Sequence, residues 1–482
     1  MTELDPSLNI LPLSFDRGLA GRKVHLIGIG GVAMTALAGL LTEAGALVSG
    51  SDSGLYPPMS ELLRDMGLEV FEGYGPESLP EDCELVVVGN VATRSFPVLE
   101  RLRDFKKPYL SLPQTLGQVF MRQSLNLVVA GCHGKTTTTA MCAHLWSQAG
   151  WKPGFLIGGA SLDFSRPWTL GGGEYFIIEG DEYDSAFFNK VPKFIHYRPH
   201  TVILTSVEFD HADIYPNLEA VKEAYRSLMR LIPSEGRLVA CGDDPLVREV
   251  AAECRGRVEF YGLADNNDWQ IENFSPDGFG SSFECSGPGG FYARLSLAHP
   301  GVYNAQNALA ATAVFVGQGG DVRLPGLSSA GFKGVKRRQE ILGDFNGITL
   351  IDDFAHHPSA VEKTLAGLKA AYPGRRLLAA FEPRSNTSRR AVFQEDYVRA
   401  LGGADLLFLR RPSQPEKAPA GDRLDIDRLV AELGARAALF DDGLALGEAL
   451  VGAAQSGDVV LIMSNGGFDG LSARLTERLG RS

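Results

Sequence analysis

The sequence predicts an α/β protein with mostly parallel sheets shared among three domains. Three observations lead there. Apolar, strand-like runs alternate with amphipathic helical stretches along the whole chain, each run empties into glycines or polar residues, and 482 residues are too many for one core. The run that organises the rest is Leu127-Val-Val-Ala-Gly-Cys-His-Gly-Lys-Thr-Thr-Thr-Thr139. A strand ending at Gly131 and a helix opening near Lys135 aim several backbone N–H groups, and the positive end of a helix dipole, at one spot. Lys135 adds a full charge for a phosphate oxygen, and the Thr136 hydroxyl is placed to ligate Mg²⁺. The full Walker spacing is not met, because Val129 stands five residues before Gly134. A plain glycine turn also fits, but it leaves four threonines, poor helix formers, unexplained at a helix start. Gly131, His133, Gly134, Lys135, Thr136 and Thr137 are therefore read as a phosphate loop.

Composition narrows the class. Hydrophobic content of 44% and charged content of 22% are those of a globular protein. No twenty-residue apolar span occurs, and Met1-Thr-Glu-Leu-Asp5 lacks the layout of a signal peptide, so a cytoplasmic location is expected. Six cysteines without metal-ligand spacing point to neither a zinc site nor a disulfide framework. A net charge of −12 argues against a nucleic-acid partner and requires that any nucleotide site gather its positive charge locally.

Taken in order, residues 1–122 form the first expected domain. Lys23-Val-His-Leu-Ile-Gly-Ile-Gly-Gly-Val-Ala33 reads as strand, glycine turn and helix, and Leu47–Asp52 as a second strand ending in an acid. This G-x-G-x-x-A layout allows a pyrophosphate at the helix N-terminus without saying which ligand carries it. Leu85–Asn90 adds a strand whose end, with Thr93 and Arg94, faces the same crevice.

The second expected domain spans 123–328. Glu174–Glu182 reads as an apolar strand ending in Glu179, Asp181 and Glu182, where a Mg²⁺ site beside a phosphate loop would be built. Strand alternation puts Glu179 and Asp181 on one face and Glu182 on the other. Thr201–His211 reads as a parallel case, a strand carrying Glu208, Asp210 and His211 at its tip. Val258 to Pro300 reads as edge hairpins. Asn304 and Asn307 sit one turn apart at the next helix start, the first a possible cap and the second a candidate for a base or phosphate.

The third expected domain, 329–482, begins at the basic cluster Lys333-Gly-Val-Lys-Arg-Arg338. Three of its strands end in polar tips: Asp352-Asp-Phe-Ala-His-His-Pro358, Glu382-Pro-Arg-Ser-Asn-Thr-Ser388 and Ser464-Asn-Gly-Gly-Phe468. Ordinary polar loops would explain any one of them. All three on one sheet edge, with an arginine, suit carboxylate recognition.

Together these strings resemble the Mur ligase family, the ATP-dependent peptide ligases of bacterial peptidoglycan metabolism. GIGGVAM, GCHGKTTTT, EGDEYD, EFDH, YNAQNALAA, GVKRRQE and DDFAHHP occur in family order from about residue 22 to 468. The resemblance implies an N-terminal Rossmann-like domain for a UDP-sugar, a central P-loop ATPase domain and a Rossmann-like C-terminal domain for the amine substrate. Two kinds of member accept UDP-N-acetylmuramate itself, one adding L-alanine and one, in cell-wall recycling, the tripeptide L-alanyl-γ-D-glutamyl-meso-diaminopimelate. The strings DEYDSAFFNKVPKFIHYRP, EPRSNT and MSNGGF are similar to the tripeptide-adding kind. Cys132, Gly180 and Phe354 depart from the usual Thr, Ala and Tyr.

By resemblance, Lys135 holds the β/γ-phosphates of ATP, Thr136 and Glu179 bind one Mg²⁺, and His211 is a ligand of a second. Asn304, Asn307, Arg338 and Asp353 match ATP-contacting positions. Gly28, Gly30 and Gly31, with Asp52, Asn90 and Thr93, are expected at the UDP-sugar. Arg384, Ser385, Asn386 and Asn465 are expected at the peptide carboxylates, and His356 and His357 are candidates for the base. The rivals are an L-alanine ligase, a nicotinamide dehydrogenase, which would leave Lys135, Glu179 and His211 idle, and a non-catalytic nucleotide-binding module.

Overall fold

The strand Lys23–Ile27 is buried along Val24, Leu26 and Ile27 because it lies in the middle of a parallel sheet, with partners on both sides. The computed structural model describes residues 3–55, 59–278 and 280–481. They form two compact units. One holds the chain up to Val207, with Lys222–Phe260 and Ala313–Asp321; the other holds Glu208–Val221, Tyr261–Thr312 and Val322 onward.

The first unit contains two sheets. In the N-terminal one the order is Glu69–Glu72, Leu47–Asp52, Lys23–Ile27, Leu85–Val88 and Tyr109–Ser111, all parallel. Strand one lies at the centre with strand four beside it, so a crevice opens at the carboxyl ends of Lys23–Ile27 and Leu85–Val88. Gly28 takes φ +84°, which bends the chain sharply from the strand toward the helix Val32–Glu43. That helix lies against the second sheet: Gly39 abuts the Trp168 indole so closely that a Cβ would overlap the ring. Glu43 also accepts hydrogen bonds from the Thr169 hydroxyl and the Leu170 N–H, both 3.1 Å.

The second sheet runs Arg237–Cys241, Thr201–Leu204, Leu125–Ala130, Tyr175–Gly180 and Gly154–Leu156, with Trp168–Thr169 antiparallel at the edge. The strand reading of Thr201–His211 is corrected here, because the strand stops at Leu204. The Thr205 N–H and hydroxyl both bond the Ala130 carbonyl (3.0 and 3.2 Å), and the hydroxyl also bonds the His133 carbonyl, which turns the chain away from the sheet. His211 therefore lies in a loop, at φ +54°.

The second unit carries the antiparallel strands Trp269–Asp277, Gly280–Gly287 and Phe291–Leu297, the hairpins read from the sequence. Its main sheet runs Glu340–Phe345, Ile348–Asp353, Val459–Met463, Leu377–Phe381, Leu406–Arg410 and Ala437–Phe440. Only the first of these is antiparallel. Side chains alternate across it. Ile351, Ala379, Phe381 and Leu461 pack on one face beneath Pro358–Ala371 and Gln394–Leu401, while Leu350, Leu378, Ala380 and Val460 pack on the other with Leu446, Leu471 and Leu475. In register, Asp353 and Phe381 both lie opposite Met463, so the three polar tips do end on one edge. Among the described residues no helix is long and apolar enough to cross a membrane.

The Gly39–Trp168 contact gives the first prediction. Gly39→Val should destabilise the protein by about 1–3 kcal/mol through overpacking against a ring with no room to retreat. The readout is a lower chemical-denaturation midpoint followed by tryptophan fluorescence.

Candidate active site

The phosphate loop is built by its glycines. Gly131 sits at φ +124°, where a Cβ would overlap the Thr205 hydroxyl, and Gly134 at φ +79° hands the chain to the helix Lys135–Gln148. The loop is also tied to the neighbouring strand's continuation: Cys132 N–H bonds Ser206 O (3.1 Å) and His133 N–H bonds Ser206 Oγ (3.1 Å). Cys132 places its Sγ 3.8 Å from the Tyr225 hydroxyl.

Lys135 folds back over this loop. Its Nζ donates to the Gly131 carbonyl (2.7 Å) and to both oxygens of Glu182 (3.2 and 3.0 Å). Burial opposes the charge, but Glu182 and Asp181 outweigh burial and hold the lysine pKa above its ordinary value. Thr136 Oγ1 donates to Glu179 Oε2 at 3.1 Å, and the other Glu179 oxygen accepts the Gly158 N–H. Asp181 pairs with Lys193. The strand ends at Gly180, so beyond it the alternation that grouped Glu179 with Asp181 no longer holds. Glu182, the buried counterion of Lys135, was read as pointing away.

In the N-terminal sheet's crevice, Gly28, Gly30 and Gly31 line the turn. Asp52 closes it, accepting from the Gly30 N–H (2.8 Å), the Gly54 N–H (3.2 Å) and the Tyr74 hydroxyl (3.2 Å). Asn90 and Thr93 are exposed just past the Leu85–Val88 strand, and Thr93 Oγ1 lies 2.7 Å from Ser95 Oγ.

In the second unit the loop holding His211 sits on the sheet's tips. Asp210, 3% exposed, accepts from the Thr387 hydroxyl (2.6 Å) and the His211 N–H (2.6 Å). Burial pushes its carboxyl up, yet His211, His357 and His356 outweigh that and hold it well below the usual range. His357 caps the helix Pro358–Ala371, with Nε2 on the Phe209 carbonyl (3.2 Å) and Nδ1 on Ser359 Oγ (2.8 Å). Ser359 Oγ is also within hydrogen-bond distance of the Glu208 carboxylate. His356 holds Nδ1 near its own turn's Phe354 carbonyl, at 3.1 Å.

Asn304 and Asn307 lie in the first two turns of Val302–Gly317, both buried. Asn304 Nδ2 donates to Pro300 O and Gln339 Oε1, each 2.8 Å. Asp353 holds the Gln339 and Ala355 N–H groups, each at 2.7 Å, and burial pushes its carboxyl up to about 6. The Arg338 guanidinium lies 4.3 Å over the Phe354 ring, so the position that lacks a tyrosine hydroxyl keeps its aromatic face in use.

At the second and third tips, Ser385 is absorbed in a turn with Ser388 (2.9 and 2.8 Å) and Asn386 bonds Asp213 (2.9 Å). Arg384 is exposed and crosses to the neighbouring tip, where a Cβ on Gly466 would overlap its guanidinium. Asn465 Oδ1 is buried with no donor. Arg389 is 4% exposed, its Nε has no acceptor, and the sequence analysis did not single it out.

Comparison with known proteins bears on this geometry. Residues 23–124 match the Mur ligase family catalytic domain, 129–315 the Mur ligase middle domain, and 337–466 the Mur ligase glutamate ligase domain. The chain is 37% identical over 462 residues to the UDP-N-acetylmuramate–L-alanyl-gamma-D-glutamyl-meso-2,6-diaminoheptandioate ligase of Escherichia coli K12, covering 95% of this chain and 98% of that one. To the UDP-N-acetylmuramate–L-alanine ligase of Chromobacterium violaceum it is 33% identical, covering 95% and 99%. The crystal structure of a murein peptide ligase from Psychrobacter arcticus 273-4 superposes with a TM-score of 0.74 at 34% identity, covering 96% and 99%.

Asp353 supplies a pH prediction. Its folded value of about 6 lies above the ordinary 3.8, so between these the folded protein keeps a proton that the unfolded chain has lost. Stability contributed by this group is therefore present at the acid end and falls as pH rises through the window. In Asp353→Asn that component should vanish. Urea midpoints measured from about pH 4 to about pH 6 would then fall less steeply than in the wild type.

Proposed function

This chain belongs to the Mur ligase family, and from that membership and the site's geometry we propose that it joins UDP-N-acetylmuramate to L-alanyl-γ-D-glutamyl-meso-diaminopimelate at the expense of ATP. The observation that carries the reading is Lys135, a partly buried ammonium on a glycine loop, next to a Thr136–Glu179 pair. Mur ligases in general use ATP and Mg²⁺. The donor set fits, since a threonine hydroxyl and a carboxylate 3.1 Å apart are hard oxygen ligands. Mg²⁺ held by Thr136 and Glu179, with His211 as our assigned ligand for a second ion, would neutralise phosphate charge and align the γ-phosphoryl group.

The chemistry is phosphoryl transfer followed by acyl transfer. The carboxylate of UDP-N-acetylmuramate takes the γ-phosphoryl group of ATP and releases ADP. The alanyl amine of the tripeptide then attacks the acyl phosphate, the C–O bond to phosphate breaks, and an amide, phosphate and a proton are produced. The protein's part is positioning and charge neutralisation. Lys135 exchanges Glu182 for a phosphate oxygen, and we assign Gly131, His133, Gly134, Thr136 and Thr137 to the phosphates of ATP. We assign Asn304, Asn307, Arg338 and Asp353 to the nucleotide. Gly28, Gly30, Gly31, Asn90 and Thr93 are assigned to the UDP-sugar, with Asp52 bracing their turn, and Arg384 and Asn465 to the peptide. His356 and His357 are the candidates for the base. Residues 1–122, 123–328 and 329–482 serve the sugar nucleotide, ATP and peptide in turn, and the enzyme works in the cytoplasm in peptidoglycan recycling.

The L-alanine ligase reading shares the same phosphate loop and is separated by substrate. In a phosphate-release assay with UDP-N-acetylmuramate and ATP, tripeptide should support turnover and L-alanine should not; turnover with alanine alone would overturn the substrate assignment. Lys135→Ala should lower the rate by about a thousandfold or more, and Glu179→Gln should shift the Mg²⁺ dependence to higher concentration in the same assay.

A further inference from the structure

Among the buried polar atoms without a hydrogen-bond partner in the described residues, Arg389 Nε and Asn465 Oδ1 belong to neighbouring segments at the second unit's sheet edge, and their chemistry is complementary. Arg389 is buried, at 4% exposure, and its guanidinium makes no hydrogen bond or ion pair with any described residue. Its backbone is fixed, with the N–H bonded to Ser385 O (3.3 Å) and the carbonyl accepting the Leu424 N–H (2.7 Å). The charges that act on the side chain are Arg384 and Glu382, on the same tip, and Glu416 on the segment Pro415–Lys417. A buried cation next to a second arginine, with no bonded anion, is costly unless something else completes it. Asn465 lies on the adjoining tip, which is locked to the first: Glu382 N–H bonds Met463 O (3.1 Å), and Ser464 Oγ donates to Glu382 Oε2 (2.6 Å). Asn465 Oδ1 is an acceptor shielded from solvent without a donor.

One orphan donor thus wants an anion, and one orphan acceptor on the neighbouring tip wants an N–H. A carboxylate and an ammonium on one carbon, the head of an amino acid, would satisfy both. The tripeptide offers one such head. Its glutamyl carboxylate, and the carboxylate beside the acylated diaminopimelate nitrogen, have no free amine on the same carbon, and the alanyl amine is the nucleophile. Only the distal end of diaminopimelate carries both groups. We infer that Arg389, with Asn465, reads this zwitterionic end and makes the enzyme specific for a diaminopimelate-type peptide. The inference rests on the tripeptide reading above and adds to it a residue and a discriminating end.

The test uses the full-length enzyme, UDP-N-acetylmuramate, ATP and three peptides that differ only at the third residue. These carry meso-diaminopimelate, L-lysine, which lacks the distal carboxylate, and L-2-aminoheptanedioate, which lacks the distal amine. Wild type should prefer the diaminopimelate peptide over each of the others by about tenfold or more in kcat/KM. Arg389→Gln should lose about tenfold or more on the two peptides with a distal carboxylate, chiefly through their KM. Its loss on the lysine peptide should be several times smaller, with KM for ATP kept and Arg389→Lys partly restoring the preference. Asn465→Leu should show the reverse selectivity, losing on the two peptides with a distal amine. Equal losses on all three peptides, or an unchanged preference, would overturn the inference. If Arg389→Gln does not fold, the wild-type comparison decides, and equal kcat/KM for the diaminopimelate and lysine peptides rejects the proposal. Turnover with L-alanine and with none of the peptides would remove the substrate reading itself, an outcome distinct from failed discrimination among peptides.

Discussion

The glycine loop from Gly131 to Gly134 is organised around one partly buried ammonium. Removing Lys135 from water is unfavourable, and the Gly131 carbonyl and the Glu182 carboxylate offset that cost at 2.7 and 3.0–3.2 Å. The loop can bring a carbonyl that close because Gly131 and Gly134 occupy left-handed backbone regions. It stays there because Thr205 and Ser206, just past the next strand, hold the Ala130, Cys132 and His133 backbone groups. The ammonium is thus paired with an anion supplied by the fold itself.

In the second unit most polar groups at the sheet's edge are satisfied by the protein itself. Asp353 spends both oxygens on backbone amides, Asp210 is held by Thr387 and by the His211 amide, and His357 spans a carbonyl and a serine. These bonds fix the tips without consuming the surface between them. Arg389 and Asn465 break the pattern, since neither completes its hydrogen bonding internally. Unsatisfied groups in otherwise complete networks are where a ligand contributes what the fold withholds.

Much of this was legible in the sequence where the governing interactions are local. Strand, glycine turn and helix follow one another at Gly28 and at Gly131 because burial, positive φ and helix initiation each act within a few residues. The shared edge of the three C-terminal tips followed from parallel strands. Reading failed where a strand's end had to be placed. Thr201–Leu204 is followed by three more residues of strand-like composition, and the stop is made by Thr205 bonding carbonyls about seventy positions away in sequence. The same holds past Gly180, where leaving the pleat sends Glu182 to Lys135 and Asp181 to Lys193.

By itself, then, the sequence determined the fold class, the strand, glycine turn and helix around Gly131 and the family, because these rest on local geometry and on motif order. Tertiary structure alone decided which acid neutralises Lys135, that His357 meets the Phe209 carbonyl and Ser359, and that Arg389 is buried without an anion. Each of those depends on which distant groups a side chain meets, and pairing across a fold is set by packing that no single stretch of chain encodes.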